Sequence, residues 1–379
     1  MTSRGNLGTP ARADSNTRTV RILLPGYASR PVGGYKVVYE YANHLATLPG
    51  VKVEIHESFA FLQAHDFRGR SLPILSLAVK RVKSALARRL RPRWFTLDSR
   101  IEEHAWVGLP RFAEQPGDVV VATAAGTVPF AAGKANGAGV RGIYFIQHYE
   151  SWSMPEEFVI ETWQSGLKNV VIAPWLADIA RDLGVGAELV PNGVDAKSFA
   201  KGPLLTERTP SVLALVSSVS FKRADLLARA FSEVHEARPE VVISAFGTDE
   251  RPSLLPPFVQ YYMRPSPEKL RELYAGATVY MTASDAEGWH LPPAEALLSG
   301  AALVSTDIGG VRAYADGVAS FVPVGDAHAL AEAALDILDA PESAQLRTDR
   351  GREGLIAWGP LEAATAFARV CLEPTGGAE

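Results

Sequence analysis

Val279-Tyr280-Met281-Thr282-Ala283-Ser284-Asp285-Ala286-Glu287-Gly288-Trp289-His290-Leu291-Pro292-Pro293-Ala294-Glu295-Ala296-Leu297 reads as strand, loop and helix in immediate succession. Val279 to Thr282 is a short apolar run of the kind buried in a parallel sheet. Pro292 or Pro293 suits a first helical turn, where a missing N–H is no loss. The remaining backbone donors and the positive helix end therefore point back toward the loop, a natural seat for a phosphate. Glu287 stands in the loop and Glu295 within the first turns of the helix. An ionised carboxylate only accepts hydrogen bonds and can take a pair of them from neighbouring hydroxyls. Carboxylate, helix end and carboxylate in this order suit sugar, diphosphate and ribose. Taken singly, Glu295 also reads as a first-turn carboxylate complementing the helix dipole.

The same alternation extends in both directions. Val20 to Leu24, Val51 to Ile55, Val119 to Ala122, Gly142 to Ile146 and Val170 to Ala173 read as buried strands of a first half. Ser211 to Val216, Val241 to Phe246, Val279 to Thr282, Ala302 to Ser305 and Ala319 to Val322 read as those of a second. Helical patterns fall between them at Tyr35 to Leu48, Trp175 to Leu183, Arg223 to His235, Glu268 to Ala275, Pro292 to Ser299 and Ala327 to Leu338. Strands alternating with helices predict the α/β class, with parallel sheets covered on both faces. Residues 1–19 are polar and read as a disordered tail. Residues 20–190 form the expected N-terminal domain, 191–210 the linker, and 211–357 the C-terminal domain. Two doubly wound domains place a ligand cleft between them, where strand ends and helix starts from both sides meet.

Composition narrows the function classes. The chain has 379 residues, a formal net charge of −4 and one cysteine. There is no global basic excess of the kind that marks a nucleic-acid partner. Cys371 has no second cysteine to pair with, which removes disulfide scaffolds and cysteine-rich zinc sites and points to a reducing, cytoplasmic setting. No run of about eighteen apolar residues occurs. Lys80 to Arg93 is basic with Val82, Leu86 and Leu90 at near-helical spacing. It is a solvated helix face, or a surface that could rest on the inner face of an anionic membrane or hold a phosphorylated acceptor.

The string from Glu287 to Glu295 resembles the Glu-x7-Glu segment of retaining glycosyltransferases of the glycogen-synthase-like family four. That resemblance implies the GT-B fold, with two Rossmann-like doubly wound domains facing a central cleft. It implies Glu287 for the donor sugar, Gly288, Trp289, His290 and Leu291 for sugar and phosphate contacts, and Glu295 for the ribose. His290 departs from the family, which usually has glycine there, and its larger side chain would shape the sugar pocket. Val190 to Asp195 is similar to the family's interdomain segment, and otherwise a Pro-Asn-Gly turn. Asp307-Ile308-Gly309-Gly310 resembles its late glycine pair; alone, the pair means a tight turn.

The resemblance also directs attention to three further loops. After the first strand of the second half, the family carries an Arg and then a Lys that grip the donor phosphates. Lys222 matches the Lys, whereas Ser218 stands at the Arg; Arg223 could substitute with a bidentate fork. Gly33 and Gly34 match a glycine-rich loop whose amides approach the donor and acceptor, and would otherwise be a plain strand-to-helix turn. His148, at the end of the strand Gly142 to Ile146 with Gln147 and Glu150 beside it, matches a His that lies near the reacting sugar. It could equally be a structural histidine. After Trp358-Gly359-Pro360, the helical residues 358–372 would cross back to the N-terminal domain.

The implied activity is retaining transfer of a sugar from a UDP, GDP or dTDP donor to an acceptor hydroxyl by front-side displacement. The acceptor is a glycan, a lipid-linked glycan or a small molecule, so the setting is polysaccharide or glycan biosynthesis. No cofactor beyond the donor and no metal is expected; Asp285-Ala286-Glu287 could pass for a metal-holding Asp-x-Asp, but the helix end and Lys222 can do that work. Gly137 to Gly142 satisfies G-x-G-x-x-G but lies before a strand, so it is set aside. The alternatives are an inactive nucleotide-sugar-binding partner, a glycoside hydrolase using the two carboxylates, and a GT-B sugar epimerase.

Overall fold

The computed structural model describes residues 17–28, 31–61, 94–137, 139–152 and 154–373. The basic stretch Lys80 to Arg93 lies outside them. The first sheet has seven strands, β1 (Arg18–Leu24), β2 (Val51–Ser58), β3 (Glu102–Trp106), β4 (Val119–Ala122), β5 (Arg141–Ile146), β6 (Lys168–Val171) and β7 (Ala187–Leu189). The second has six, β8 (Ser211–Leu215), β9 (Val242–Gly247), β10 (Gln260–Met263), β11 (Val279–Thr282), β12 (Ala302–Thr306) and β13 (Ser320–Val322). All pairings are parallel, in the orders β3-β2-β1-β4-β5-β6-β7 and β10-β9-β8-β11-β12-β13. Each order reverses once, between β1 and β4 in one sheet and between β8 and β11 in the other. The segments leaving those four strands must diverge, and the crevice between them is where an open α/β sheet takes its ligand.

The central strands are mostly apolar because helices cover both faces, and β4 (Val-Val-Val-Ala) and β11 (Val-Tyr-Met-Thr) are buried throughout. Three strands that periodicity does not reveal, β3, β7 and β10, are all sheet edges with exposed residues among them. Glu102-Glu103-His104-Ala105-Trp106 has no apolar face to announce it.

Two expected boundaries move. β1 begins at Arg18, paired with Val51, so the polar tail ends earlier than residue 19. The linker also narrows. Leu205 is buried, and the Arg208 guanidinium donates to the carbonyls of Pro203, Ala277 and Ser299, docking this part of the linker onto the C-terminal domain.

The chain crosses between domains at Pro191 to Gly193 and again at Trp358 to Pro360. The crossings touch: Trp358 Nε1 donates to Pro191 O at 2.9 Å, and a Cβ on Gly193 would strike the Gly359 backbone. The last helix, Pro360–Leu372, packs on the N-terminal domain, with the Phe367 ring centroid 5.0 Å from those of Tyr41 and Phe145. Arg18 and Arg141 donate to its last carbonyls at Leu372 and Val370, the pairing that suits a negative helix end. Among the described residues, no single helix is long and apolar enough to cross a membrane.

Candidate active site

Three of the four segments at the reversal points supply candidate residues, and the loop after β5 adds His148. The turn after β8 runs through a short 3-10 segment, Ser220–Lys222, and the loop after β11 leads into the helix Leu291–Leu298. Asp285 N donates to Phe221 O at 2.7 Å, tying the two together. This places Lys222 Nζ 2.5 Å from Glu287 Oε1. The same oxygen accepts from Ser284 Oγ at 3.1 Å, and His290 Nε2 lies 3.6 Å away. Burial alone would raise the Glu287 carboxyl, but His290 and Lys222 outweigh it and hold it below the usual carboxylate range. Glu287 is thus a carboxylate at neutral pH, partnered but carrying unused lone pairs.

The helix start differs in detail from its reading in the sequence. Leu291 is the first helical residue, so Pro292 and Pro293 occupy the next two positions. They remove two of the N–H groups a helix normally leaves unpaired. His290 and Leu291 are left as the amides at this end. His290 has φ of 58° and ψ of 80°, a left-handed conformation that disfavours side chains larger than glycine. Trp289 is buried with its ring centroid 4.5 Å from that of Tyr314, and Tyr314 OH donates to His290 O at 2.9 Å.

Glu295 lies one turn further on. Its Oε2 accepts from Tyr274 OH at 3.0 Å, and Lys36 Nζ, in the first turn of the N-terminal helix Gly33–Leu45, stands 4.0 Å from Oε1. Burial raises its carboxyl, against Lys36 and Tyr274. Arg223, with φ of 49°, is held by Asp285 at 3.0 Å and by both oxygens of Asp225. Ser218 donates to Asp249 at 2.9 Å.

The facing wall comes from the N-terminal domain. His148 follows β5, and its Nδ1 lies 2.9 Å from Tyr149 O and 3.3 Å from Trp152 Nε1, with the Ala286 backbone also bonding to the ring. Burial holds it below the ordinary imidazole value; the Glu287 charge works against that and the Lys222 charge with it. The domains meet closely beside it. A Cβ on Gly288 would collide with Gln147 O, and one on Gly34 would press on the Gln147 side-chain amide at 3.2 Å. Gly33 faces Leu291. Trp175 Nε1 donates to Gly288 O at 3.0 Å, and its ring occupies the space a side chain at Gly309 would need. Gly309 and Gly310 start the helix Gly309–Ala315 rather than closing a tight turn; their missing side chains admit Trp175 and the Glu287 backbone.

Glu287, Lys222, His290 and His148 are therefore brought together across the cleft, Gly288 meets Gln147 and Leu291 meets Gly33 across it, Trp289 is buried against Tyr314, and Glu295 sits one turn further along the helix. Arg223 is spent on two aspartates at its edge. Sequence reasoning missed Ser284, although it stands in the same string as Glu287, and Trp175, Lys36 and Tyr274, which are scattered along the chain and carry no local signal.

One other group of titratable residues has metal-ligand spacing among those described, Glu54, His56 and His104. Trp106 donates to His56 Nδ1 at 3.1 Å, so the ring proton sits on Nε2 facing Glu54 at 3.1 Å. No lone pair of His56 is left for a metal.

Residues 210–340 match the family model described as glycosyl transferases group 1. Sucrose-phosphate synthase from Thermosynechococcus elongatus superposes with a TM-score of 0.68 at 16% identity, over 93% of this chain and 98% of that one. A glycosyltransferase from Rickettsia africae gives 0.67 at 14%, over 96% and 100%. The E. coli trehalose-6-phosphate structure bound with UDP-2-fluoro glucose gives 0.63 at 12%, over 93% and 99%. No curated protein matches the sequence. The fold is GT-B, and the matched domain makes the protein a transferase of the glycosyltransferase class.

Proposed function

We propose that the protein is a retaining glycosyltransferase of the family-four type, moving a sugar from a UDP, GDP or dTDP donor to an acceptor hydroxyl held by the N-terminal domain. One observation carries this reading: Lys222, Glu287 and the start of the helix Leu291–Leu298 converge where the second sheet reverses, facing His148. In this reading Glu287 takes hydrogen bonds from donor-sugar hydroxyls and Glu295 from the ribose. Lys222 and the His290 and Leu291 amides stabilise the charge that grows on the departing diphosphate, the electrostatic contribution that usually dominates such a step. No enzyme nucleophile and no metal enters; the leaving phosphate takes the acceptor proton as the new bond forms on the same face of the sugar. Glycan, lipid-linked glycan and small molecule remain the acceptor classes.

A thermal-shift screen of nucleoside diphosphates and their sugars tests the donor. A ligand at about 100 times its Kd stabilises by about 2.7 kcal/mol. Transfer assays on the hit, with the product anomer read by NMR, test retention. Glu287→Ala is expected to lower turnover at least about 100-fold, and Glu295→Ala mainly to weaken nucleotide binding. Near-normal behaviour of both variants would sink the assignment. A second reading, an inactive nucleotide-sugar-binding partner, draws on Ser218 and Arg223, whose bonds to Asp249, Asp225 and Asp285 leave Lys222 as the phosphate cation. Tight donor binding without transfer across acceptors would favour it.

A further inference from the structure

His290 carries three separate costs at one position. Its backbone is left-handed, where glycine would relax it. Only 6% of its surface is exposed, and its Nδ1 is buried with no hydrogen-bond partner. Its side chain gives up its charge, because burial lowers the imidazole to about 4. Such costs collected at one residue point to a ligand that repays them.

The neighbours settle which nitrogen is free. Nε2 faces Glu287 Oε1 at 3.6 Å, and a carboxylate oxygen only accepts, so the ring proton sits on Nε2. Nδ1 then bears a bare lone pair. It can be satisfied by an O–H or N–H donor and by nothing that merely accepts. His148, across the cleft, feels the same Glu287 and Lys222 charges.

We propose that His290 is a specificity-determining residue whose Nδ1 accepts a hydrogen bond from one ring substituent of the donor sugar, a hydroxyl or the N–H of an acylamino group. This rests on the reading of the protein as a nucleotide-sugar transferase. A site built to pair with a substituent rejects the analogue that lacks it, since its own buried group is left unsatisfied.

The test compares the parent donor with its monodeoxy and deoxyfluoro analogues, position by position, on the full chain. Fluorine retains weak acceptor capacity but cannot donate. At one position both analogues should lose about tenfold or more in kcat/KM with the wild type. With His290→Gly, which relaxes the backbone, the same change should cost less than about threefold. His290→Asn tolerates the left-handed backbone and offers Oδ1 as acceptor, so it should restore part of the discrimination. Equal losses in wild type and His290→Gly at every position would overturn the proposal while leaving the transferase reading intact. Failure of the wild type to bind or turn over any nucleotide sugar would overturn both.

Discussion

Replacing Gly288 by alanine separates the position of the loop from the stability of the domains. A Cβ there would lie 1.8 Å from Gln147 O and 3.0 Å from its carbonyl carbon, whereas ordinary contact begins at 3.4 Å. The loop and the end of β5 must therefore part by roughly 1.6 Å (3.4 − 1.8), and both obstacles are backbone, which cannot swing aside as a side chain would. The Trp175–Gly288 hydrogen bond, now 3.0 Å, is lost in the process. One lost bond of this kind costs about 1 kcal/mol net, and the added methyl meets the buried Ile172 Cδ1 only at 3.5 Å, ordinary contact, so the melting temperature should fall by only a few degrees. Catalysis should respond far more, because Glu287 precedes Gly288 and a misplacement of about 1 Å can cost about 100-fold. Transfer kinetics, nucleotide titration and thermal melting on the same preparation are expected to show kcat/KM down at least about 100-fold, with nucleotide affinity within a few-fold of wild type. Turnover within about threefold of wild type would refute the role assigned to this seam.

Two further outcomes follow from other parts of the structure. Glu57 accepts a hydrogen bond from Tyr39 OH at 3.0 Å, and burial pushes its carboxyl up to about 7. A raised acid stabilises the fold fully below its unfolded value near 4.5 and loses that contribution as pH rises through about 7. Relative to Glu57→Gln, the wild type should lose up to about 3 kcal/mol between pH 4.5 and 8.5; parallel urea-denaturation profiles for the two would contradict this. Phe367 is fully buried where the last helix meets Tyr41 and Phe145, so Phe367→Ala should destabilise by about 3–5 kcal/mol. A melting curve unchanged by that substitution would show that the last helix does not hold the N-terminal domain.

The central strands and covering helices were legible because their residues are uniformly apolar or periodically so. β3, β7 and β10 were not, because an edge strand is half solvated and mixes Glu, His and Gln among its apolar residues. At the site, Glu287, Lys222 and Glu295 stand in contiguous strings that can be read locally. Trp175 could be read only as a helix start, since its partner Gly288 lies more than a hundred residues away. Lys36 was likewise an unremarked residue of a first helical turn until Glu295 was placed beside it. The glycine pair at Gly309 and Gly310 was readable as an absence of side chains, but what fills that space was not.

The sequence by itself determined that this chain builds two parallel sheets with a phosphate-favouring helix end after Glu287, because apolar runs and proline placement act over a few neighbouring residues. Only the tertiary structure decided that Lys222 and His290 crowd one oxygen of Glu287, that Arg223 is spent on aspartates, and that His148 and Trp175 close the cleft from the other domain. Those outcomes depend on how segments far apart in the chain share space and charge, and the winding of the two sheets sets that.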